Sequence, residues 1–176
     1  MIKGVRKIFS EVAENYEVVN HVLTLGLDIH WRHQAAREAA KTGGSRWLDV
    51  CSGTGEMARY LSRLANSRIK IISLDFCYPM MVKAREKDKK GDIFFVEAEA
   101  KRLPFADNSF DLITISFATR NITPNKEYLV SHLQEFKRVL KKGGRFFNLE
   151  TSQPPLKLVQ QLFHLYIKIT VKPIGS

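Results

Sequence analysis

Residues 46–60, RWLDVCSGTGEMARY, decide the fold that the rest of the chain is expected to adopt. The apolar run that begins at Trp47 predicts a short buried parallel strand, Gly53-Thr54-Gly55 predicts a tight turn, and a helical pattern follows. Glycine tolerates the φ values of such a turn, and a side chain at Gly53 or Gly55 would block the approach of a ligand. We therefore expect a ligand to lie against this turn, near the free N–H groups of the helix start.

Two carboxylates follow predicted strands close to this turn. Asp49 closes the first strand, where a negative charge suits a cationic group better than a pyrophosphate. Twenty residues past Gly55, the strand pattern over 69–75 ends in Asp75, where an acid would accept both hydroxyls of a ribose. One acid for an amino group and one for a ribose favour S-adenosylmethionine over a nicotinamide dinucleotide. The alternative is an ordinary tight turn without a ligand.

The composition indicates one globular domain. The 176 residues are 44% hydrophobic and 26% charged, which excludes a disordered chain. No apolar run approaches the ~20 residues that span a bilayer, and the first residues lack the apolar core of a signal peptide. We therefore predict a cytoplasmic protein, with peripheral contact to a membrane left open. Cys51 and Cys77 are expected to be reduced thiols, and no metal site is predicted.

The formal net charge of +10 has two interpretations. The basic residues are scattered, and none forms the basic arm with interleaved aromatic residues that is typical of nucleic-acid binding. We therefore expect no nucleic-acid partner. A solvated, lysine-rich surface is favoured over the alternative, an attraction to anionic lipid headgroups.

The chain before the first strand is predicted to be mostly helical over residues 5–42. Gly26 should break the helical pattern, and Gly43-Gly44 should end it. This leader could lie as a lid over the ligand site or pack on the edge of the sheet. The chain is therefore divided into an N-terminal helical lid segment, 1–44, and an α/β domain, 45–176, which together make a single domain.

Strands and helices alternate after the leader. Strands are predicted over 46–50, 69–75, 92–97, 110–116 and 145–150, and helices over 56–66, 79–88 and 125–140. Apolar strands separated by amphipathic helices predict an α/β fold with a doubly wound, mostly parallel sheet. Gly143-Gly144 is predicted to end the last helix before the chain returns to the sheet.

Ligands of such sheets bind beyond the carboxyl ends of the strands. The segments to inspect are therefore Asp49–Gly55, Asp75–Cys77, Glu97–Ala100 and Ser116–Asn121. Glu99 and Ala100 could meet an adenine amino group, or Glu99 could be an exposed loop acid. Phe76 could pack on the purine or belong to the core.

Five stretches of the chain resemble the ubiquinone/menaquinone biosynthesis C-methyltransferases. They are 9–20 (FSEVAENYEVVN), 49–55 (DVCSGTG), 103–111 (LPFADNSFD), 113–121 (ITISFATRN) and 138–144 (RVLKKGG). The Gly-Thr-Gly and Leu-Pro-Phe elements are shared by many class I S-adenosylmethionine-dependent methyltransferases, whereas Ser-Phe-x-x-Arg-Asn and the Tyr-x-x-x-Asn of the leader are more specific. The resemblance runs from about residue 5 to the end of the chain and implies a Rossmann-like class I methyltransferase fold.

The resemblance also implies an activity and a set of contacts. The acceptor would be a polyprenylated quinol that gains a methyl group on a ring carbon, as in demethylmenaquinol to menaquinol or the equivalent ubiquinone precursor. Its tail would come from a membrane. The resemblance implies cofactor contacts at Thr54, Asp75, Glu99, Ala100 and Ser116. With the positions inferred above from the turn and the strand ends, the predicted cofactor site comprises Asp49, Gly53, Thr54, Gly55, Asp75, Phe76, Glu99, Ala100 and Ser116.

Carbon methylation of a quinol requires alignment of the ring carbon and stabilisation of a phenolate. Arg120 and Asn121, just past the fourth strand, are predicted to hold the quinol oxygen. A guanidinium keeps its proton, so Arg120 would stabilise the phenolate rather than act as a base. Tyr16 is a second candidate, with lid packing as its alternative role. Among the histidines, only His21 is worth testing as a base.

The chain departs from the family pattern in two ways. Glu17 and His21 stand where the family usually has Asp, and Asp28 stands where it has His, which bears on the acceptor rather than the cofactor. The family pattern also continues past Ser176, so its last antiparallel strands are expected to be missing here. Two other functions stay open: a small-molecule O- or N-methyltransferase, or a non-catalytic cofactor-binding subunit of a quinone-synthesis complex. A homodimer also stays open.

Overall fold

The structure is a computed structural model that describes residues 2–152 and Tyr166. The leader forms α1 (Ile2–Val12), α2 (Tyr16–Leu23) and α3 (Leu27–Ala40). The α/β part forms β1 (Arg46–Val50), α4 (Glu56–Leu64), β2 (Lys70–Asp75), α5 (Tyr78–Lys87), β3 (Ile93–Glu97), β4 (Phe110–Ser116), α6 (Thr119–Ile122), α7 (Lys126–Val139) and β5 (Leu140–Leu149). Among these helices, none is both long enough and apolar enough to cross a bilayer.

The five strands form one parallel sheet in the order β3-β2-β1-β4-β5. This confirms the predicted α/β fold with a doubly wound sheet. The strand order reverses between β1 and β4, because the chain moves outward from β1 to β3 and then returns to the other side of β1. The carboxyl ends of β1 and β4 therefore flank a crevice, which is where parallel sheets bind ligands.

Helices cover both faces of the sheet, and the side chains of β1 point alternately to one face and to the other. Leu48 and Val50 point to the face covered by α7, where Phe136 and Val139 complete the cluster. The opposite face holds Trp47 under α3 and α4, packed with Ala36, Ala39, Met57, Ala58, Leu61, Ile71, Ile93 and Leu112. Asp49 shares the face of Trp47 and is fully buried.

The leader contains three helices, which pack at two different places. Gly26 breaks the pattern as predicted, with φ +75°, and a second break separates α1 from α2. Helix α3 packs on the sheet through its small side chains. Helices α1 and α2 contribute Phe9, Ala13 and Tyr16 to a cluster with Cys77 and Met80, near the carboxyl end of β2.

The prediction that Gly143-Gly144 ends the last helix is wrong. Helix α7 ends and β5 begins without a loop, at Leu140 instead of the predicted residue 145. Gly143 lies within β5 with φ +81°, next to an irregularity in the pairing with β4. A Cβ on Gly144 would stand 2.9 Å from the Leu140 side chain and 3.0 Å from the Asp111 carbonyl oxygen. These glycines therefore allow a bulge and a close approach of two strands.

Asp111 of β4 contacts the starts of β1 and β5, at the end of the sheet opposite the crevice. Its Oδ2 accepts hydrogen bonds from the backbone N–H groups of Ser45 at 2.8 Å and Arg46 at 3.0 Å, and Lys141 Nζ lies 2.8 Å from Oδ1. Partial burial opposes ionisation, but the Lys141 hydrogen bond and these N–H groups outweigh it and lower the pKa of Asp111.

We expect Asp111→Asn to destabilise the fold by about 1.5–3 kcal/mol at neutral pH, because charge-assisted hydrogen bonds are lost. A lowered folded-state pKa stabilises the protein above the unfolded value of about 3.9, and this contribution is lost as the pH falls through the folded pKa. Urea unfolding at several pH values should therefore show a difference from wild type that shrinks in acid. Asp107→Asn, at an exposed ion pair with Arg138, is the control and should cost less. A pH-independent difference at position 111 would contradict this account.

Candidate active site

Two adjoining cavities lie at the carboxyl end of the sheet. We call them the inner cavity, closed by α1, α2 and α3, and the outer cavity, bounded by the segments after β3 and β4. Each encloses about 610 Å³ of empty space, including open solvent at its mouth, which suits a small-molecule site. The residues that line both are Cys51, Asp75, Phe76, Asn121 and Ile122. A ligand that passes Asp75 can therefore extend into both cavities.

Asp75 connects the two loops that form the floor of the crevice. Its Oδ2 accepts a hydrogen bond from the Gly53 N–H, and its Oδ1 accepts one from the Cys77 N–H, each at 2.8 Å. The side chain is 5% exposed. Burial raises the pKa of Asp75, while the two N–H groups favour its ionised form. Each carboxylate oxygen retains a lone pair, so the predicted ribose contact is compatible with this geometry.

The two glycines of the turn have different roles. A Cβ on Gly53 would have nothing within 4 Å, so this position borders open space in the inner cavity. A Cβ on Gly55 would stand 2.9 Å from the Ala84 Cβ. Gly55 therefore allows α4 to pack against α5, and the expectation that its missing side chain clears the way for the ligand is wrong. Both residues have positive φ, +54° and +78°.

Asp49 lies beneath the crevice rather than on its surface. The residue is fully buried, and Oδ1 accepts a hydrogen bond from the Thr114 hydroxyl at 2.8 Å. Its Oδ2 has no hydrogen-bond partner among the described residues. Burial raises the pKa of Asp49 to about 7. Asp49 does not line either cavity, because the strand alternation directs its side chain to the face under α4.

The outer cavity brings together the positions predicted for adenine. Phe76, Glu99 and Ala100 line it beside Asp75. Glu99 is exposed and Ala100 is buried. Tyr128 and His132 of α7 also line it, together with Leu74, Ala98, Lys101 and Pro124. His132 was not predicted as a site residue, because the pattern of an amphipathic helix does not show which neighbouring loop a side chain meets.

The inner cavity contains the remaining predicted cofactor residues. Thr54 and Ser116 line it from the loop after β1 and the end of β4. The Thr54 side chain also hydrogen-bonds Glu17 of α2, which ties the leader to the glycine turn. Cys51 and Cys77 are free thiols, as predicted. Burial raises the pKa of Cys51 well above its usual value, so this thiol stays protonated.

The structure separates the three residues predicted to be catalytic. Tyr16 and Asn121 line the inner cavity, but Arg120 lines neither cavity. Arg120 is exposed and donates a hydrogen bond to the Thr151 carbonyl at 2.9 Å. Arg120 and Asn121 both lie in α6, where successive side chains point about 100° apart. Asn121 therefore faces the crevice, and Arg120 points away from it. Burial raises the pKa of Tyr16, which therefore stays neutral.

His21 belongs to a charged cluster behind the inner cavity. Its Nδ1 lies 2.9 Å from Asp28 Oδ2, and its Nε2 lies 3.7 Å from Glu56 Oε1. His21 itself lines neither cavity. His21 and Asp28, two of the positions noted above as departures from the family pattern, are therefore in direct contact.

Arg32 and Glu56 are site residues that sequence reasoning missed. Both line the inner cavity although they are 4% and 6% exposed. Arg32 Nη1 lies 2.6 Å from Asp28 Oδ2 and 3.3 Å from Glu56 Oε2. Burial raises the pKa of Glu56, and Arg32 partly opposes this shift. The spacing of Asp28 and Arg32, i and i+4, was the available signal, but such pairs are common on exposed helices.

The crevice fits S-adenosylmethionine. The outer cavity offers an adenine site, Asp75 at the boundary offers a ribose site, and the open space at Gly53 leaves room against the backbone. With the strand order of the sheet, these features suit the class of S-adenosylmethionine-dependent methyltransferases.

Comparison with known proteins narrows this class to one family. The model of the ubiE/COQ5 methyltransferase family matches residues 2–176. The ubiquinone/menaquinone biosynthesis C-methyltransferase UbiE of Geobacter sp. (strain M21) is 34% identical over 176 residues, covering 98% of this chain and 73% of that protein. The demethylmenaquinone methyltransferase of Staphylococcus haemolyticus (strain JCSC1435) is 36% identical over 173 residues, covering 98% and 71%. The chain therefore belongs to the ubiE/COQ5 methyltransferase family.

A solved structure supports the fold independently. The crystal structure of a SAM dependent methyltransferase from Aquifex aeolicus superposes with a TM-score of 0.60 at 21% identity, covering 77% of each chain. At this identity the likeness concerns the fold alone. It confirms the Rossmann-like class I methyltransferase fold.

The two glycines should respond differently to alanine. Both variants strain a positive φ, at a cost of about 1–2 kcal/mol. Gly55→Ala also forces a clash with Ala84, so we expect it to lose more stability than Gly53→Ala in thermal unfolding. Gly53→Ala places a methyl group in the inner cavity and should weaken binding of the product S-adenosylhomocysteine at least about tenfold by calorimetry. Weaker binding in Gly55→Ala than in Gly53→Ala, at equal stability, would contradict these roles.

Proposed function

We propose that this protein transfers the methyl group of S-adenosylmethionine to a ring carbon of a polyprenylated quinol. The observation that carries the proposal is the likeness to a protein named demethylmenaquinone methyltransferase over 98% of this chain. The acceptor would be demethylmenaquinol or the equivalent ubiquinone precursor. The inner cavity supports this assignment, because beyond the glycine turn it offers apolar side chains, Phe9, Met57 and Ile122, beside the polar groups of Tyr16 and Asn121.

The cofactor supplies an activated methyl group on a sulfonium, so the protein mainly aligns the ring carbon and excludes water. A bond forms between the methyl group and the ring carbon, the bond to sulfur breaks and leaves neutral S-adenosylhomocysteine, and the proton of the ring carbon is released to solvent. An ionised quinol oxygen makes the ring electron-rich. Residues that hold this oxygen as an anion therefore lower the barrier.

We propose that Tyr16 and Asn121 hold the quinol oxygen. Tyr16 stays neutral because burial raises its pKa, so it donates a hydrogen bond to the phenolate and does not act as the base. Its side chain interacts with that of Asn20, the second named position of the Tyr-x-x-x-Asn pattern of the leader. The amide of Asn121 offers a second donor from α6. Arg120 is not included, because its guanidinium contacts the Thr151 carbonyl outside both cavities.

We further propose that the quinol is taken from a membrane surface. The net charge of +10 supports attraction to anionic lipids, and the turn between α2 and α3 exposes Leu25 and Leu27. Leu25 is 75% exposed and has φ +53°, an unusual conformation for a residue with a side chain.

The homodimer and the division into 1–44 and 45–176 stay predictions.

The direct test supplies the protein with methyl-labelled S-adenosylmethionine and demethylmenaquinol in vesicles. We expect label on the quinol ring, with faster transfer from anionic vesicles than from neutral ones at low salt. A parallel assay supplies a small catechol as the acceptor. Label on a catechol hydroxyl, with none on the quinol, would favour the small-molecule O-methyltransferase. Retained binding of S-adenosylhomocysteine without transfer to either acceptor would favour the non-catalytic subunit.

Tyr16→Phe is the matched variant for this assay. Loss of one donor to an oxyanion should lower kcat about 10²-fold, with little change in the affinity for S-adenosylhomocysteine. Tyr78→Phe, at an exposed tyrosine outside both cavities, is the control and should retain full activity. Full turnover by Tyr16→Phe would remove this residue from the proposed site.

A further inference from the structure

Arg32 is a buried cation with an unused donor. The residue is 4% exposed and lines the inner cavity. Its Nη1 is engaged by Asp28 at 2.6 Å, and its guanidinium lies 4.5 Å from the centre of the Phe117 ring. Its Nε has no hydrogen-bond partner among the described residues. A buried donor of this kind normally has a partner, because an unsatisfied one costs about 1–3 kcal/mol.

The order of residues along the crevice indicates which part of the cofactor reaches Arg32. Glu99 and Ala100 line only the outer cavity, Asp75 lines both, and Arg32 and Glu56 line only the inner one. A nucleoside with its adenine in the outer cavity and its ribose at Asp75 directs its 5′ substituent into the inner cavity. In S-adenosylmethionine this substituent is the amino-acid part.

The amino-acid part carries an ammonium and a carboxylate, and Arg32 and Glu56 present the complementary charges 3.3 Å apart. We propose that Arg32 binds the carboxylate and Glu56 the ammonium of the cofactor. The Nε–Nη2 edge of a guanidinium matches a carboxylate with two parallel hydrogen bonds. This inference rests on the proposed function and assigns the anchor for the amino-acid end.

Asp28 and His21 position Arg32. The Asp28 carboxylate is 1% exposed and accepts hydrogen bonds from the Thr24 hydroxyl at 2.7 Å and from Arg32 at 2.6 Å. Burial opposes its ionisation, but Thr24, His21 and Arg32 outweigh this and lower the pKa of Asp28. The carboxylate therefore stays charged and binds Nη1. The Nε edge of the guanidinium is left available to a ligand.

The same cluster does not favour a divalent cation. Glu17, His21 and Glu56 place potential ligand atoms within 4.8 Å of one another. However, Arg32 lies against Glu56, and Lys87 Nζ lies 2.6 Å from Glu17 Oε2. These fixed positive charges compete with a metal ion, whereas a zwitterion satisfies both signs of charge.

The experiment compares two ligands that differ only in the carboxylate. S-adenosylhomocysteine and its decarboxylated counterpart, S-adenosyl-3-thiopropylamine, are titrated into wild type, Arg32→Met and Arg37→Met. We expect wild type to prefer the carboxylated ligand by roughly 10- to 100-fold, as for hydrogen bonds to charged groups. Arg32→Met should lose this preference while it retains its affinity for the decarboxylated ligand. Arg37→Met, at an exposed arginine of the same helix, should keep the preference.

Three results would overturn the inference. Wild type could bind both ligands equally, Arg32→Met could keep the preference, or it could lose affinity for both ligands equally, which indicates a structural role. Should Arg32→Met not fold, Arg32→Lys replaces it, because lysine keeps the charge opposite Asp28 but not the planar fork; an undiminished preference then overturns the inference. Absence of binding of either ligand to wild type would instead contradict the proposed function.

Discussion

The buried carboxylate of Asp75 is the interaction on which the site depends. It accepts the Gly53 N–H and the Cys77 N–H at 2.8 Å each, and so fixes the loop after β1 against the loop after β2. These hydrogen bonds act on the ionised form and offset part of the cost of burying the charge, while burial still raises the pKa of Asp75. Both cavities meet at this carboxylate. A parallel sheet supplies the neighbouring strand ends, and Asp75 converts them into one continuous crevice.

The leader completes the crevice through contacts that are individually weak. Arg6 donates to the Phe76 carbonyl at 2.9 Å and forms an ion pair with Glu97 at 2.6 Å. Lys83 pairs with Glu14 at 2.8 Å. Such exposed ion pairs contribute little net free energy and are screened by salt. Helix α3 is held differently, because its alanines are packed in the core.

Much of the fold could be predicted because its signals are local. Apolar runs specify the strands, glycine specifies the turn after β1, and the strand pattern that ends at Asp75 places this carboxylate at the carboxyl end of β2. The start of β5 could not be predicted, because Gly143 lies in a bulge that exists only through pairing with β4. The orientation of Arg120 depends on α6, a helix of four residues without a periodic pattern.

The roles of the charged residues of the site could not be predicted from the sequence either. Arg32 and Glu56 belong to helices that look ordinary in sequence, and only the tertiary structure buries them together. Asp49 shows the opposite case, since its position before the glycine turn suggested a ligand contact, yet the strand alternation places it beneath the crevice. Sequence patterns thus locate the edge of the sheet that binds ligands, while side-chain directions there depend on contacts between distant elements.

Calorimetric titration of S-adenosylhomocysteine into wild type and Asp75→Asn tests this role of the Asp75 carboxylate. Asparagine retains the size of the side chain but loses the charge that accepts both loop N–H groups and that is expected to accept the ribose hydroxyls. The account predicts a loss of affinity of roughly 10- to 100-fold in a variant that still unfolds cooperatively. Unchanged affinity in a folded Asp75→Asn variant would contradict the claim that this carboxylate organises the cofactor crevice.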